Sequence, residues 1–198
     1  MSWWEAVYKD SPPWVIGAPQ PEIMNLVENK EITKGRVLDI GCGTGDNSVF
    51  LAKKGFSVTC LDIVTRAIDK GRQKAKKNKV NVNFRVGNAL RLSEYFEKGS
   101  FDVVIDSGMF HTLDTDKRPL YAKLISEVLV EGGRYFVLCF SDKELGYIGP
   151  KRISEKDLEE TFAGIFKINF IRDAFFASKV HKKGAKAYLA SMTKINAQ

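Results

Sequence analysis

Apolar and polar positions along this chain fall into short alternating blocks, strand-like and helix-like in turn. Arg36-Val37-Leu38-Asp39-Ile40 has the pattern of a short buried strand, and the segment from Asp46 to Lys54 that follows reads as a helix stopped by Gly55. The pair of signals then recurs. Ser57-Val58-Thr59-Cys60-Leu61 predicts a second strand, followed by a helix over roughly Val64 to Asn78. Val82-Asn83-Phe84-Arg85-Val86 predicts a third strand. Phe101-Asp102-Val103-Val104-Ile105 predicts a fourth, rich in β-branched residues and bounded by Gly99-Ser100 and Ser107-Gly108. A helix from about Lys117 to Leu129, ended by Gly132-Gly133, leads into a fifth strand from Arg134 to Phe140. Ser154, with Glu155 and Asp157 behind it, marks another helix start, with the serine as N-cap and the acids at the positive end of the dipole. Phe166 to Arg172 and Ala187 to Thr193 read as strands joined around Gly184. No crossover helix fits between them, so they are expected to be antiparallel. The whole pattern predicts an α/β fold, a doubly wound, mainly parallel seven-stranded sheet with a C-terminal antiparallel strand pair.

No internal repeat, low-complexity tract or Gly/Ser linker divides the 198 residues, so the chain reads as a single domain. Within it, residues 1–33 are an aromatic segment ahead of a core spanning 34–198. No apolar run approaches the roughly 20 residues of a membrane span, and the N-terminus lacks the basic leader and apolar stretch of a signal peptide. The three cysteines, Cys42, Cys60 and Cys139, are odd in number and each adjoins an apparent strand. They are expected to be reduced, mostly buried thiols in a cytoplasmic protein. With only His111 and His181 beside them and no CxxC pair, no metal site is expected. The 31 Lys+Arg exceed the 24 Asp+Glu, giving a net charge of +7. Much of that excess lies in Arg66, Lys70, Arg72, Lys74, Lys76, Lys77 and Lys79, which on a helix would largely form a solvated face. The interleaved aromatic and basic pattern of a nucleic-acid surface is missing, so charge alone does not point to nucleic acid.

The strongest chemical signal is Val37-Leu38-Asp39-Ile40-Gly41-Cys42-Gly43-Thr44-Gly45-Asp46, between a strand and a helix. Glycines there let the backbone turn sharply and a ligand approach it closely, and the free N–H groups of the helix start favour electron-rich groups. A dinucleotide fingerprint would have a third glycine where Asp46 stands. The Asp39 carboxylate just before the loop suits a cationic amino-acid ligand and suits a pyrophosphate poorly. Asp62, at the end of the second strand, can accept hydrogen bonds from ribose hydroxyls. Together these residues favour an adenosyl ligand carrying an ammonium and a sulfonium over NAD.

At these residues the chain resembles the class I S-adenosylmethionine-dependent methyltransferases, from about Lys34 to the C-terminus. The resemblance implies S-adenosyl-L-methionine as cofactor, bound by Asp39, Gly41, Cys42, Gly43 and Gly45. It further implies Asp62 at the ribose, Ile63 among the cofactor-binding residues and Asn88-Ala89 beside the adenine, with Asn88 standing where relatives often have Asp. Asp106, after the fourth strand, falls where the family lines the methyl-transfer site, and the C-terminal strand pair is what this family adds to its sheet. Asp62 could instead cap the following helix, and Asp106 merely a loop.

The opening residues resemble those of the thiopurine, thiol and halide methyltransferase-like group, at Trp4, Tyr8, Pro13-Trp14, Gly17, Pro19 and Pro21. Val15 departs from that group, where an acid is common. This resemblance implies a lid whose aromatic residues Trp4, Tyr8 and Trp14 lie against cofactor and acceptor, and an acceptor that is a small molecule, such as a thiol or another soft nucleophile. Packing against one end of the sheet is the alternative for these rings. His111, near the proposed site, could take a proton from the acceptor or serve only as a packed structural residue. The asparagine–proline–proline–tyrosine type motif of methyltransferases acting on DNA is missing after the fourth strand, which counts against nucleic acid as partner. Methylation of RNA or protein, or cofactor binding without turnover, stays open as an alternative. A monomer or weak homo-oligomer, without a membrane partner, is expected.

Overall fold

The computed structural model describes residues 3–33, 35–146 and 149–195. Seven strands form one sheet in the order β3-β2-β1-β4-β5-β7-β6. They are β1 (Arg36–Ile40), β2 (Ser57–Asp62), β3 (Asn83–Val86), β4 (Phe101–Ser107), β5 (Leu129–Phe140), β6 (Phe166–Ser178) and β7 (His181–Lys194). The first five are parallel, and β7 runs antiparallel to both β5 and β6. The expected fold class is the observed one. Strand order reverses between β1 and β4, so the crevice above their carboxyl ends is where an open α/β sheet binds ligands.

The helices are α1 (Trp3–Val7), α2 (Pro21–Glu28), α3 (Asp46–Lys53), α4 (Thr65–Lys77), α5 (Arg118–Val128) and α6 (Glu155–Phe162). Strand residues of alternating parity feed two cores. Val37, Val103, Ile105, Phe136 and Leu138 meet Ile23 and Leu26 of α2 and Leu51 of α3. Leu38, Val104, Tyr135 and Val137 meet Tyr121 and Ile125 of α5 and Leu158 and Phe162 of α6 on the opposite face. α6 begins as its sequence requires: Ser154 accepts from the Asp157 N–H, and the Asp157 carboxylate accepts from the Ser154 N–H. The basic residues of α4 lie mostly on its exposed face. No helix among the described residues is long and apolar enough to cross a membrane.

Three boundaries differ from the sequence expectation. Residues 3–33 carry two helices, because Pro21 sits in the first turn of α2, where its missing N–H costs nothing, and Ile23 and Leu26 share the buried side. The β6–β7 turn falls at Lys179-Val180 rather than at Gly184. Gly184 lies inside β7 at φ +81°, where a Cβ would stand 3.0 Å from the Phe175 Cβ, so this glycine serves a close approach and not the reversal. β5 starts directly after α5 and passes through Gly132-Gly133 with a register shift against β4, so the glycines mark a bulge inside a strand.

Candidate active site

β1 runs out at Ile40, and the chain crosses to α3 through Gly41 to Gly45. Gly41, Gly43 and Gly45 have φ of +66°, +54° and +70°, a region that side chains rarely enter. At Gly43 the backbone is also crowded: a Cβ would lie 2.7 Å from the Tyr8 hydroxyl. The loop is tied to β2, since Gly41 N–H and Cys42 N–H donate to the Leu61 carbonyl at 2.8 and 3.2 Å. The Gly43 N–H donates to Asp62 Oδ2 at 2.7 Å, and the Val64 N–H to Asp62 Oδ1 at 2.9 Å. Asp62 therefore braces the glycine loop and the start of α4 together. Each of its oxygens keeps a lone pair for an incoming hydroxyl.

Three carboxylates gather at the ends of β1, β2 and β4, all nearly enclosed: Asp39, Asp62 and Asp106. Burial pushes Asp39 up to about 7, against a hydrogen bond donated by Ser48 Oγ at 2.6 Å, and the neighbouring Asp106, Asp62 and Asp46 charges add to the rise. Burial also raises Asp62, and it raises Asp106 to about 6. Among the described residues no basic side chain forms an ion pair with any of the three. Buried negative charge without a counter-cation is costly. A ligand bringing an ammonium and a sulfonium fits this donor set, and a pyrophosphate does not. At the neighbouring strand ends Ile63 is 48% and Val86 41% exposed, which is unusual for apolar residues inside a crevice. Beside them Asn88 accepts from the Leu90 N–H at 2.9 Å, and Ala89 is buried. An apolar edge with an amide alongside suits a purine.

The aromatic segment lies over this end of the sheet. Tyr8, 4% exposed, packs with Val64 and Ala67 at the start of α4, and Trp4, Trp14 and Val15 close around them. Trp14 Nε1–H donates to the Tyr8 hydroxyl at 3.0 Å, while Trp4 and Trp14 meet edge to face at 6.1 Å. These rings are packed together at the start of α4, and Tyr8 reaches the glycine loop at Gly43. Polar ties missed by the sequence reading fasten the segment. Glu5 accepts from the Thr65 N–H at the head of α4, and Lys70 Nζ donates to the Tyr8 carbonyl. Gln20 exchanges two hydrogen bonds with Ala177 of β6, at 2.9 and 2.8 Å, and its own N–H donates to Asn47 Oδ1. Lys74 pairs with Asp46 at 2.6 Å and donates to Thr44, so this basic residue supports the loop rather than facing solvent freely. A lone Gln and two lysines in a basic helix carry no pattern that would have singled them out.

For Asp106 and His111 the geometry favours the structural alternatives left open by the sequence, and for the cysteines it overturns the expectation. Asp106 does not present a catalytic oxygen to the crevice. Its carboxylate is fully enclosed and accepts from the Tyr121 and Tyr135 hydroxyls at 2.6 and 3.2 Å and from the Met109 and Phe110 N–H groups at 2.8 and 3.2 Å. It anchors the turn after β4. His111 is not placed as a proton acceptor either. Its Nδ1 accepts the Phe140 N–H at 3.0 Å, which assigns the proton to Nε2. Burial, helped by the Arg152 charge, lowers its pKa to about 3, so the ring is neutral. It packs between Phe140 and Phe176. The cysteines are not three free thiols: Cys42 and Cys60 are joined as a disulfide, and Cys139 alone is free, buried within the sheet. The pair sits on adjacent strand ends, a juxtaposition that an odd count of well-separated cysteines hides.

The comparisons with known proteins agree with this chemistry. Residues 37–133 match the family model described as a methyltransferase domain. The chain is 33% identical over 166 residues to a 2-heptyl-1-hydroxyquinolin-4(1H)-one methyltransferase of Mycobacteroides abscessus, covering 82% of this chain and 72% of that protein. It is 31% identical over 163 residues to a probable thiol methyltransferase of Arabidopsis thaliana, covering 79% and 68%. A solved structure described under the conversion of a disulfide bond into a thioacetal group during echinomycin biosynthesis superposes with a TM-score of 0.86 at 31% identity, over 97% of this chain and 91% of that one. The glycine loop, the acid at the end of β2, the uncompensated carboxylates and these relatives converge: the chain belongs to the class I S-adenosylmethionine-dependent methyltransferases, with S-adenosylmethionine as its cofactor.

Proposed function

We propose that this enzyme methylates a small acceptor that arrives already ionised, a thiolate or a comparably soft anion. The observation that carries the reading is that the two candidate proton acceptors after β4, Asp106 and His111, have their acceptor atoms engaged. Asp106 has its oxygens committed to four donors, and neutral His111 has its acceptor nitrogen taken by Phe140. The cofactor supplies an activated methyl group on sulfur. The chain's residues then have three tasks. Asp62, Asp39 and the glycine loop hold the adenosyl and amino-acid parts. Trp4, Tyr8 and Trp14 cover the crevice and exclude water, and the aromatic rings favour a sulfonium in their neighbourhood. Asp106 fixes the turn that carries Met109 and His111, and so sets the approach to the methyl group. His111 Nε2–H is a donor able to orient an anion, which replaces the base role expected from its residue type. The names of the Mycobacteroides and Arabidopsis relatives support a small, heteroatom-bearing acceptor. In this reading residues 1–33 and 34–198 are lid and core of one domain.

The test measures release of S-adenosylhomocysteine with thiols of graded acidity between pH 6 and 9. Rates should follow the ionised fraction of each thiol, so the pH midpoint moves with the acceptor. One midpoint shared by all acceptors would reveal an enzyme base and overturn the proposal.

A further inference from the structure

Cys42 is the second residue of the glycine loop and Cys60 lies on β2, where Asp39 of β1 is its register partner. Their Cα atoms are 5.8 Å apart, inside the range of about 4.4–6.8 Å that a disulfide requires. Cys60 is fully buried, with its sulfur 3.1 Å from Ser48 Oγ, whereas Cys42 is only partly buried. We propose that Cys42 and Cys60 form a reversible thiol–disulfide site that controls the cofactor loop. This rests on the reading that the loop holds S-adenosylmethionine.

The chemistry uses a peroxide as oxidant. The Cys42 thiolate attacks hydrogen peroxide, the O–O bond breaks, and Cys42 becomes a sulfenic acid while hydroxide leaves as water. The Cys60 thiolate then attacks the Cys42 sulfur, the S–O bond breaks, and a second water departs. Two thiols and one peroxide thus give one disulfide and two waters. A small dithiol reverses the step by thiol–disulfide exchange. Partial exposure makes Cys42 the sulfur that meets the oxidant, and burial makes Cys60 the resolving one.

The consequence follows from what the bridge holds in place. In the bridged form the loop is tied to β2 by the sulfurs and by the Leu61 carbonyl, which accepts from the Gly41 and Cys42 N–H groups. Tyr8 and Met109 sit directly on Gly43 and Gly41, with 2.7 Å to the positions a Cβ would take. With Tyr8 and Met109 so close to the loop, the proposal has an adenosyl ligand admitted by a parting of loop and lid. A bridge from the loop to β2 opposes that movement, and its reduction releases it. Oxidation therefore weakens cofactor binding.

The full chain, reduced with dithiothreitol and then treated with peroxide, is assayed for free thiols in denaturant and titrated calorimetrically with S-adenosylhomocysteine. The expected thiol count falls from three to the single Cys139. Affinity should fall at least about tenfold, as effector couplings commonly do, and dithiothreitol should restore it. Cys60→Ser cannot close the bridge, and its affinity should be the same with and without dithiothreitol. Three thiols persisting after peroxide, or equal affinity of the oxidised and reduced chains, overturns the proposal. A reduced chain with no affinity at all sinks the site reading and the control with it. The thiol count distinguishes that case from a pair that never closes.

Discussion

Asp39→Asn isolates the tension between stability and cofactor binding at the end of β1. Asp39 is 1% exposed and receives one hydrogen bond, from Ser48. Its pKa rises from 3.8 to about 7 because burial, and to a lesser degree three neighbouring acids, disfavour the charged form. A group whose folded pKa lies above its unfolded one contributes stability that is full below the unfolded value. That contribution is lost as pH rises through the folded value. Here the window runs from about pH 4 to about pH 7. Each tenfold change in acidity corresponds to about 1.4 kcal/mol, so the ionised group costs the ligand-free fold up to about 4 kcal/mol at pH 8. Asparagine keeps the shape and removes the charge, but gives up about 1 kcal/mol of the stronger bond to Ser48. The net expectation at pH 8 is a ligand-free variant more stable than wild type by about 1–3 kcal/mol. At pH 5 only about a third of that cost has accrued, and the weaker Ser48 bond of the variant offsets most of it, so the two should be nearly equal. The same variant should bind S-adenosylhomocysteine more weakly by about 1–3 kcal/mol, through the lost attraction to its ammonium. Urea unfolding at both pH values and calorimetric titration read both effects. Equal destabilisation at pH 5 and pH 8 refutes the reasoning, because the buried charge would then carry no cost.

Asp62→Ala removes the acceptor that braces Gly43 and is proposed to bind the ribose, and should weaken S-adenosylhomocysteine binding by about 1–3 kcal/mol; unchanged affinity in a titration would rule out the ribose role. Gly43→Ala forces a methyl group to within 2.7 Å of the Tyr8 hydroxyl at φ +54°. It should cost about 1–3 kcal/mol of stability by thermal unfolding and abolish measurable cofactor binding. Trp14→Ala should lower turnover more than stability, since Trp14 is only partly buried; an unfolded variant by circular dichroism would show that the ring is needed for packing first. Gln20→Ala leaves the Ala177 N–H and carbonyl without their partner and loosens the segment proposed as a lid, so KM for the cofactor should rise with little change in the far-ultraviolet spectrum.

The parallel strands and the glycine loop were legible because each rests on local signals: apolar runs of strand length, glycines after them, and an acid at the next strand end. Asp62 was found at the end of β2 by the same logic. Residues whose roles depend on distant partners were not legible. Asp106 sits at a strand end typical of a reacting group, yet Tyr121 and Tyr135, from a later helix and strand, close over it. His111 reads as a base until the Phe140 N–H, on another strand, takes its acceptor nitrogen. The Cys42–Cys60 pair and the ties made by Gln20 and Glu5 span segments that only the folded sheet brings together. Gly184 misled for a different reason. A glycine needed for close packing inside a strand looks, in sequence, like a glycine needed for a turn.

The most direct test of the central claim is a calorimetric titration of the reduced chain with S-adenosylhomocysteine, with NAD as the control. Saturable, selective binding of S-adenosylhomocysteine is the expected result, weakened by Asp62→Ala. Absence of binding, or preference for NAD, would contradict the assignment of the glycine loop to S-adenosylmethionine.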